Sequence, residues 1–233
     1  MGIKIEIIQA TCIGIKPEGI PNQDCILIYE NNKLLIITVS DGLGSSINSL
    51  EGAQLACKVV VDYFREDGQN ISPAFLSKTI PQEWERLISE RAGDRKDYRT
   101  TNSFVIILKH EKKIIIGRLG DVLVAVRVDG LFIPISSFEK EFINETECLG
   151  SNGNPEYEIL LHDFQNSFEL LMASDGIGDE LVNDKVELLF DYLKTKYASI
   201  KRKKRNYLLE NEILQTLTDK NNDDKSLVFA WSN

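Results

Sequence analysis

The stretch Leu34-Leu35-Ile36-Ile37-Thr38-Val39-Ser40-Asp41-Gly42-Leu43-Gly44 decides the fold. An apolar run of this length is far too short to span a membrane and reads as a buried strand. It ends abruptly in Ser-Asp-Gly. A carboxylate there is held by a rigid strand at the lip of the core. The glycine lets the backbone turn sharply and approach a ligand closely. The same pattern returns at Leu170-Leu171-Met172-Ala173-Ser174-Asp175-Gly176.

Working outward, strand signals surround both stretches. Ile3 to Ala10, Cys25 to Tyr29 and Lys33 to Ser40 read as strands, the last two joined by Asn31-Asn32. Ser103 to Lys109, Lys113 to Leu119, Val122 to Val128 and Leu131 to Ile135 follow, with Asp129-Gly130 as a hairpin turn. Tyr157 to Leu161, Phe168 to Ala173 and Ser226 to Trp231 complete the set. Helical spacing appears at Ser49 to Arg65, where Ala53, Ala56, Val60 and Phe64 recur on one face. It appears again at Pro73 to Arg91, where Pro81 is expected to separate or kink two pieces. Two further helices are expected near Asp184 to Tyr197 and Asn206 to Leu217.

Strands joined by short turns must be antiparallel, because a parallel crossover needs a dozen or more residues. The expected class is therefore α+β, a four-layer α-β-β-α sandwich of two antiparallel sheets, each flanked by a helical pair. Nothing resembling a linker or repeat interrupts residues 1–233, so one domain is expected.

Composition narrows the function. The 233 residues carry 27 Lys and Arg against 36 Asp and Glu, a formal charge of −9. Such a balance excludes a chain whose main work is coating nucleic acid or an anionic membrane. The 42% hydrophobic content excludes wholesale disorder. No secretory leader pattern opens the sequence, and Glu6 stands where a myristoylation motif wants Ser or Thr. Cys12, Cys25, Cys57 and Cys148 form no CxxC pair and read as buried thiols of a reducing cytoplasm.

The acids at strand ends carry the chemistry. Besides Asp41 and Asp175, Asp24 precedes one strand and Asp223-Asp224 precede another. If these ends converge, carboxylates crowd together and require cations to neutralise them. All-oxygen ligands without Cys or His select hard ions, so Mg²⁺ or Mn²⁺ is expected.

Asn22-Gln23-Asp24, Ser40-Asp41-Gly42-Leu43-Gly44, Thr100-Thr101, Gly120-Asp121, Ser174-Asp175-Gly176 and Asp223-Asp224-Lys225-Ser226 lie along nearly the whole chain. In order and spacing they resemble the metal-dependent type 2C protein phosphatases, the bacterial branch with a Pro-Asn-Gln-Asp opening (Pro21 to Asp24) above all. The resemblance implies two Mg²⁺ or Mn²⁺ ions bridged by Asp41. Gly42 would offer its carbonyl and Asp24 would help to hold one ion, while Asp175 and Asp223 would hold the other. Asp97 would serve a weaker third ion. It implies hydrolysis of phosphomonoesters on a phosphorylated protein by a water or hydroxide between the ions, and pairing with a bacterial Ser/Thr kinase. The thiols point to a cytoplasmic location, and the acidic balance to no nucleic acid or membrane partner. His110 and His162, each expected in a turn, are surface residues in this reading rather than catalytic bases.

Departures from the family leave alternatives open. Gln23 stands where many relatives have Glu, and Leu43 where many have His. Gly19 replaces the phosphate-binding Arg, so Lys16, or else Arg99, would supply that cation. A non-catalytic module that binds phosphoproteins is the competing reading. The run Lys201-Arg202-Lys203-Lys204-Arg205 reads as a solvated connection between helices or as a docking surface for an acidic partner. Specificity would come from the irregular region Phe138 to Asn154. Asp219 to Asp223 begins like a Ca²⁺ loop but lacks its Gly and final Glu.

Overall fold

The computed structural model describes residues 3–66, 70–134, 147–181, 183–217 and 220–232. Its first elements are β1 (Ile5–Cys12), β2 (Asp24–Glu30), β3 (Leu34–Gly42), α1 (Ser49–Arg65), α2 (Pro73–Ser89) and a 3₁₀ turn (Arg95–Tyr98). Then come β4 (Thr100–Leu108), β5 (Lys113–Leu119), β6 (Leu123–Val128), β7 (Leu131–Pro134), β8 (Glu158–Asp163) and β9 (Phe168–Ala173). The short α3 (Asp175–Gly178), α4 (Asn183–Ala198), α5 (Arg202–Leu217) and β10 (Lys225–Ser232) close the chain. The class is α+β, with two antiparallel five-stranded sheets. Ile135, Asp219 and residues 138–146 of the expected specificity region lie outside the described residues.

The chain divides into two units. One gathers Met1–Asn22, Leu123–Phe142 and Phe164–Asn233; the other gathers Gln23–Val122 and Ile143–Asp163. In the first, the strands run β1-β10-β9-β6-β7, and α4 and α5 pack on the sheet. Ile8, Leu171, Phe229 and Trp231 meet Phe190, Leu193, Tyr197, Leu209 and Ile213 there. In the second, the strands run β2-β3-β4-β5-β8, covered by α1 and α2. Ile36, Phe104, Ile106 and Ile115 meet Val60, Phe64, Leu76, Ile80 and Trp84. Each buried large side chain contributes roughly 1.5–3 kcal/mol, so these two cores dominate stability. One helical pair per sheet is what the apolar spacing predicts.

Several local expectations change. Pro81 sits inside one continuous helix, α2, and does not divide it. Proline offers no N–H to the carbonyl four residues back, here that of Ser77. The backbone N–H of Tyr157 takes that carbonyl instead, at 3.1 Å. Strands β3 and β4 also extend further than their apolar residues suggest, β3 through Asp41-Gly42 and β4 from Thr100. His110 is in a turn, but His162 lies within β8, because edge-strand pairing with Ile114 on β5 continues through it.

Only Lys201 of the basic run lies in the connection between helices. Arg202 to Arg205 form the start of α5, and Arg205 is buried, 6% exposed. Its guanidinium pairs with Glu6 at 2.7 Å and donates to the carbonyls of Ile200 and Ala198. It also lies over the Trp231 ring. All four cysteines are thiols rather than disulfides. Among the described residues no helix is long and apolar enough to cross a membrane.

Candidate metal centre

In the unit built on β2-β3-β4-β5-β8, antiparallel register sets Asp24 directly opposite Asp41, and Asp41 opposite Thr101. Opposed residues in such a pair share one face, with Cβ atoms about 4.5–5.5 Å apart, and like charges there repel. Asp24 is only 7% exposed, so water screens that repulsion poorly. The pair is an arrangement that a cation would stabilise.

The backbone around Asp41 is clamped. Its carbonyl accepts from the Thr100 hydroxyl at 2.8 Å and the Thr101 hydroxyl at 3.4 Å. The Ser40 hydroxyl lies 2.9 Å from that of Thr100 and donates to the Thr101 carbonyl. Gly120, at φ +98°, passes so close over Thr101 that an added Cβ would stand 2.5 Å from the Thr101 side chain. Thr100 and Thr101 thus hold Asp41 directly, and Gly120 acts at one remove through Thr101.

Gly42 fits where nothing larger would. A Cβ there would lie 2.8 Å from the Gln23 carbonyl and 2.9 Å from Ser49. The Gly42 N–H donates to that Gln23 carbonyl at 3.2 Å. The Gln23 amide, standing where many relatives have Glu, donates to the Ser49 hydroxyl. Beyond Gly42 the loop is pinned by the Leu43 N–H on the Arg99 carbonyl. Arg99 in turn reaches the hydroxyls of Ser46 and Ser45, each at 3.1 Å.

Asp97 sits in the 3₁₀ turn, where its carboxylate accepts from the Asp94 N–H at 3.0 Å as one half of a capping box. Its carbonyl accepts from the Asn48 N–H at 2.7 Å. Beside Asp24, the Cys25 thiol is pulled below its ordinary pKa by the hydrogen bond with Cys57, against the effect of burial. The Cys57 thiol is pushed up, chiefly by burial. A fully buried thiol with a raised pKa is a poor metal ligand, in keeping with an all-oxygen set.

The other unit supplies Asp175 and Asp223. Strand β9 ends at Ala173, and Ser174 exchanges hydrogen bonds with Ser226: its N–H donates to the Ser226 carbonyl at 3.0 Å, and its hydroxyl accepts the Ser226 N–H at 2.9 Å. Asp175 therefore opens α3 beside the start of β10. Gly176 seals the contact, since a Cβ there would stand 2.1 Å from the Asp224 carbonyl and 3.3 Å from the Asp223 side chain. Asp223 is exposed, and Asp224 is 4% exposed with a different task. Asp224 Oδ1 accepts the Gly14 N–H at 2.8 Å and Oδ2 pairs with Lys16 Nζ. The expected phosphate-binding lysine therefore has its charge balanced by a buried neighbour.

Each unit thus presents two carboxylates with carbonyl oxygens near them. Among the described residues no group of three or more His, Cys, Asp or Glu side chains gathers around one point. Mg²⁺ and Mn²⁺ take hard oxygen donors, and Mg²⁺ needs only one or two carboxylates because it keeps several waters. The tight cradles at Gly42 and Gly176 and the hard-oxygen donors fit such an ion.

A family model described as protein phosphatase 2C matches residues 16–217. The chain belongs to that family. Solved structures share the fold of this type 2C chain at low identity. The serine/threonine phosphatase of S. agalactiae superposes with a TM-score of 0.71 at 18% identity, over 97% of this chain and 99% of that one. The catalytic domain of the serine/threonine protein phosphatase PstP, solved with two manganese ions, gives 0.68 at 13% identity, over 100% and 99%. RsbX, solved with magnesium, gives 0.61 at 16% identity, over 99% and 100%. No curated protein matches the sequence.

Reading the sequence does not reveal what Ser40 and Asp224 do in this type 2C chain, nor how Lys225 is held. Ser40 is part of a quoted motif, but its link to Thr100 spans 60 positions. Asp224 is adjacent to Asp223, and only burial separates their tasks.

Proposed function

We propose that this chain is a metal-dependent phosphatase acting on phosphoserine or phosphothreonine in proteins. The observation that carries the reading is the opposition of Asp24 and Asp41 on β2 and β3, with the Asp41 carbonyl clamped by two threonine hydroxyls. In this reading Asp24, Asp41 and the Gly42 carbonyl hold one divalent ion. Asp175 and Asp223 would hold a second. Family membership and the manganese and magnesium complexes of structurally similar proteins support the choice of Mg²⁺ or Mn²⁺.

Bound there, the ions supply a water acidified toward hydroxide at neutral pH and positive charge facing the phosphoryl oxygens. The chain's own part is positional. Thr100, Thr101 and Ser40 fix the Asp41 backbone, Gln23 and Ser49 fix the turn at Gly42, and the serine pair Ser174–Ser226 fixes Asp175. Asp97 keeps one carboxylate oxygen in its capping box, so a third ion at Asp97 would rest on the other oxygen and would be weak.

For the substrate phosphate, Lys16 would act as an ammonium already paired with Asp224. Arg99, whose guanidinium meets two neutral hydroxyls, is the cation whose charge is less compensated. The partner in this reading is a phosphorylated protein of the cytoplasm, the product of a Ser/Thr kinase. The chain is one catalytic domain.

A metal-titrated assay with phosphoserine, phosphothreonine and phosphotyrosine peptides tests this. Turnover is expected with Mn²⁺ or Mg²⁺ and its loss with chelator. Asp41→Asn is expected to lower turnover by at least about 100-fold. Unchanged turnover in Asp41→Asn would remove the two-metal assignment. Absence of turnover with retained phosphoprotein binding would select the non-catalytic module.

A further inference from the structure

Between α5 and β10, the turn Asn221–Asp223 encloses the ammonium of Lys225. A side chain of the protein itself fills that turn. Lys225 is the first residue of β10, pairs with Cys12 on β1, and is 2% exposed. Its Nζ donates to the Asn221 carbonyl at 3.0 Å, the Asn221 Oδ1 at 2.9 Å and the Asp223 carbonyl at 2.8 Å. An ammonium has three donors, and all three end on neutral oxygens.

Burying a strongly hydrated ammonium costs several kcal/mol unless its donors are met. The strand itself does not require the charge, since Leu227, Val228 and Phe229 further along it are apolar. The same Asn221 that receives two of the three bonds also donates to the Gly176 carbonyl at 3.0 Å, one residue beyond Asp175. Its Oδ1 accepts the Asp223 N–H at 3.2 Å. One connected set of bonds therefore fixes the backbone of Asp223 and ties it to the turn that carries Asp175.

We propose that Lys225, acting through Asn221, is a positioning residue that preforms the Asp175–Asp223 pair as a divalent-cation site in the metal-free protein. The proposal rests on the metal reading given above. A preformed pair binds tightly because its ordering cost is met on folding rather than on binding.

Calorimetric titration of Mn²⁺ into the metal-stripped full chain tests it. Lys225→Met is expected to raise one Mn²⁺ dissociation constant by about 10–100-fold. Asn221→Ala, which keeps the lysine, is expected to shift the same constant in the same direction. Asp129→Ala is the control. It removes the carboxylate that accepts the N–H groups of Gln165, Asn166 and Ser167, away from the turn. That variant loses stability but should leave Mn²⁺ affinity within about twofold of the parent value. Dissociation constants unchanged in both Lys225→Met and Asn221→Ala would overturn the proposal, as would an equal shift in Asp129→Ala. Failure of the unaltered chain to bind Mn²⁺ would instead remove the metal reading beneath it.

Discussion

Glu6 on β1 shows how much one paired carboxylate decides. Its side chain is 12% exposed and contacts Lys4 at 2.8 Å and Arg205 at 2.7 Å. The hydrogen bond from Lys4, then the hydrogen bond and charge of Arg205, hold its carboxyl below the ordinary 4.5 in spite of burial. A folded-state pKa below the unfolded one gives stability that is fully present above about 4.5 and lost as pH falls through the lower, folded value. Glu6→Gln is therefore expected to destabilise by about 1–3 kcal/mol at pH 7, since it leaves the buried Arg205 short of its counter-charge. The penalty should shrink on acidification below about pH 4. Urea unfolding at neutral and acid pH measures it, and an equal penalty at both would show that the pairing does not stabilise. Sequence alone does not reveal this pair. Its members are 199 positions apart, and Arg205 stands in a run that looks solvated. The candidate acids are more legible, because Asp24, Asp41, Asp175 and Asp223 each adjoin an apolar strand that places them at a strand end.

At the scale of elements, periodicity predicts nearly every strand and helix, and the exceptions share a cause. Pro81 remains within α2 because Tyr157, 76 positions further on, satisfies the carbonyl that proline strands. Strand β4 begins at Thr100 because the polar Thr100, Thr101 and Asn102 pair with Gly42, Asp41 and Ser40 on β3. Hydrophobic patterning cannot register a strand end built from hydroxyls and an amide. Helix α5 is extended at its start by Arg202, Lys203 and Lys204, with no acidic residue in its first turn. Those cations face the positive end of the helix dipole, which costs stability. Replacing Arg202 and Lys203 by Glu is expected to stabilise the protein by about 0.3–1 kcal/mol per site at low salt. The gain should fade as salt shortens the screening length. Denaturation midpoints at low and high ionic strength would measure it. A loss of stability at low salt would mean that the cations already have a stabilising role in this fold.

For the whole molecule, the formal charge of −9 takes on a specific meaning. Much of the surface acidity is balanced locally, as in Arg127 with Glu169 and Asp191, or Lys109 with Glu30. At Asp24 and Asp41, register places like charges together on one face. If divalent ions neutralise the strand-end acids, folding and metal binding are linked, and the folded state gains RT ln(1 + [L]/Kd). At a metal concentration 100 times Kd that is about 2.7 kcal/mol for each site. In a chain of this size, each kcal/mol moves the thermal midpoint by about 2–4 °C. Mn²⁺ is therefore expected to raise the midpoint of the chelator-treated protein by several degrees beyond a sodium chloride control of matched ionic strength. Asp24→Asn combined with Asp41→Asn should remove part of that increment. The same pair of changes should raise the metal-free midpoint, because it removes two opposed carboxylates from one face. A rise in the parent protein equal to that in sodium chloride would show that only general screening is at work. A double variant that is less stable without metal would show that the carboxylates contribute through hydrogen bonds rather than through charge awaiting a cation.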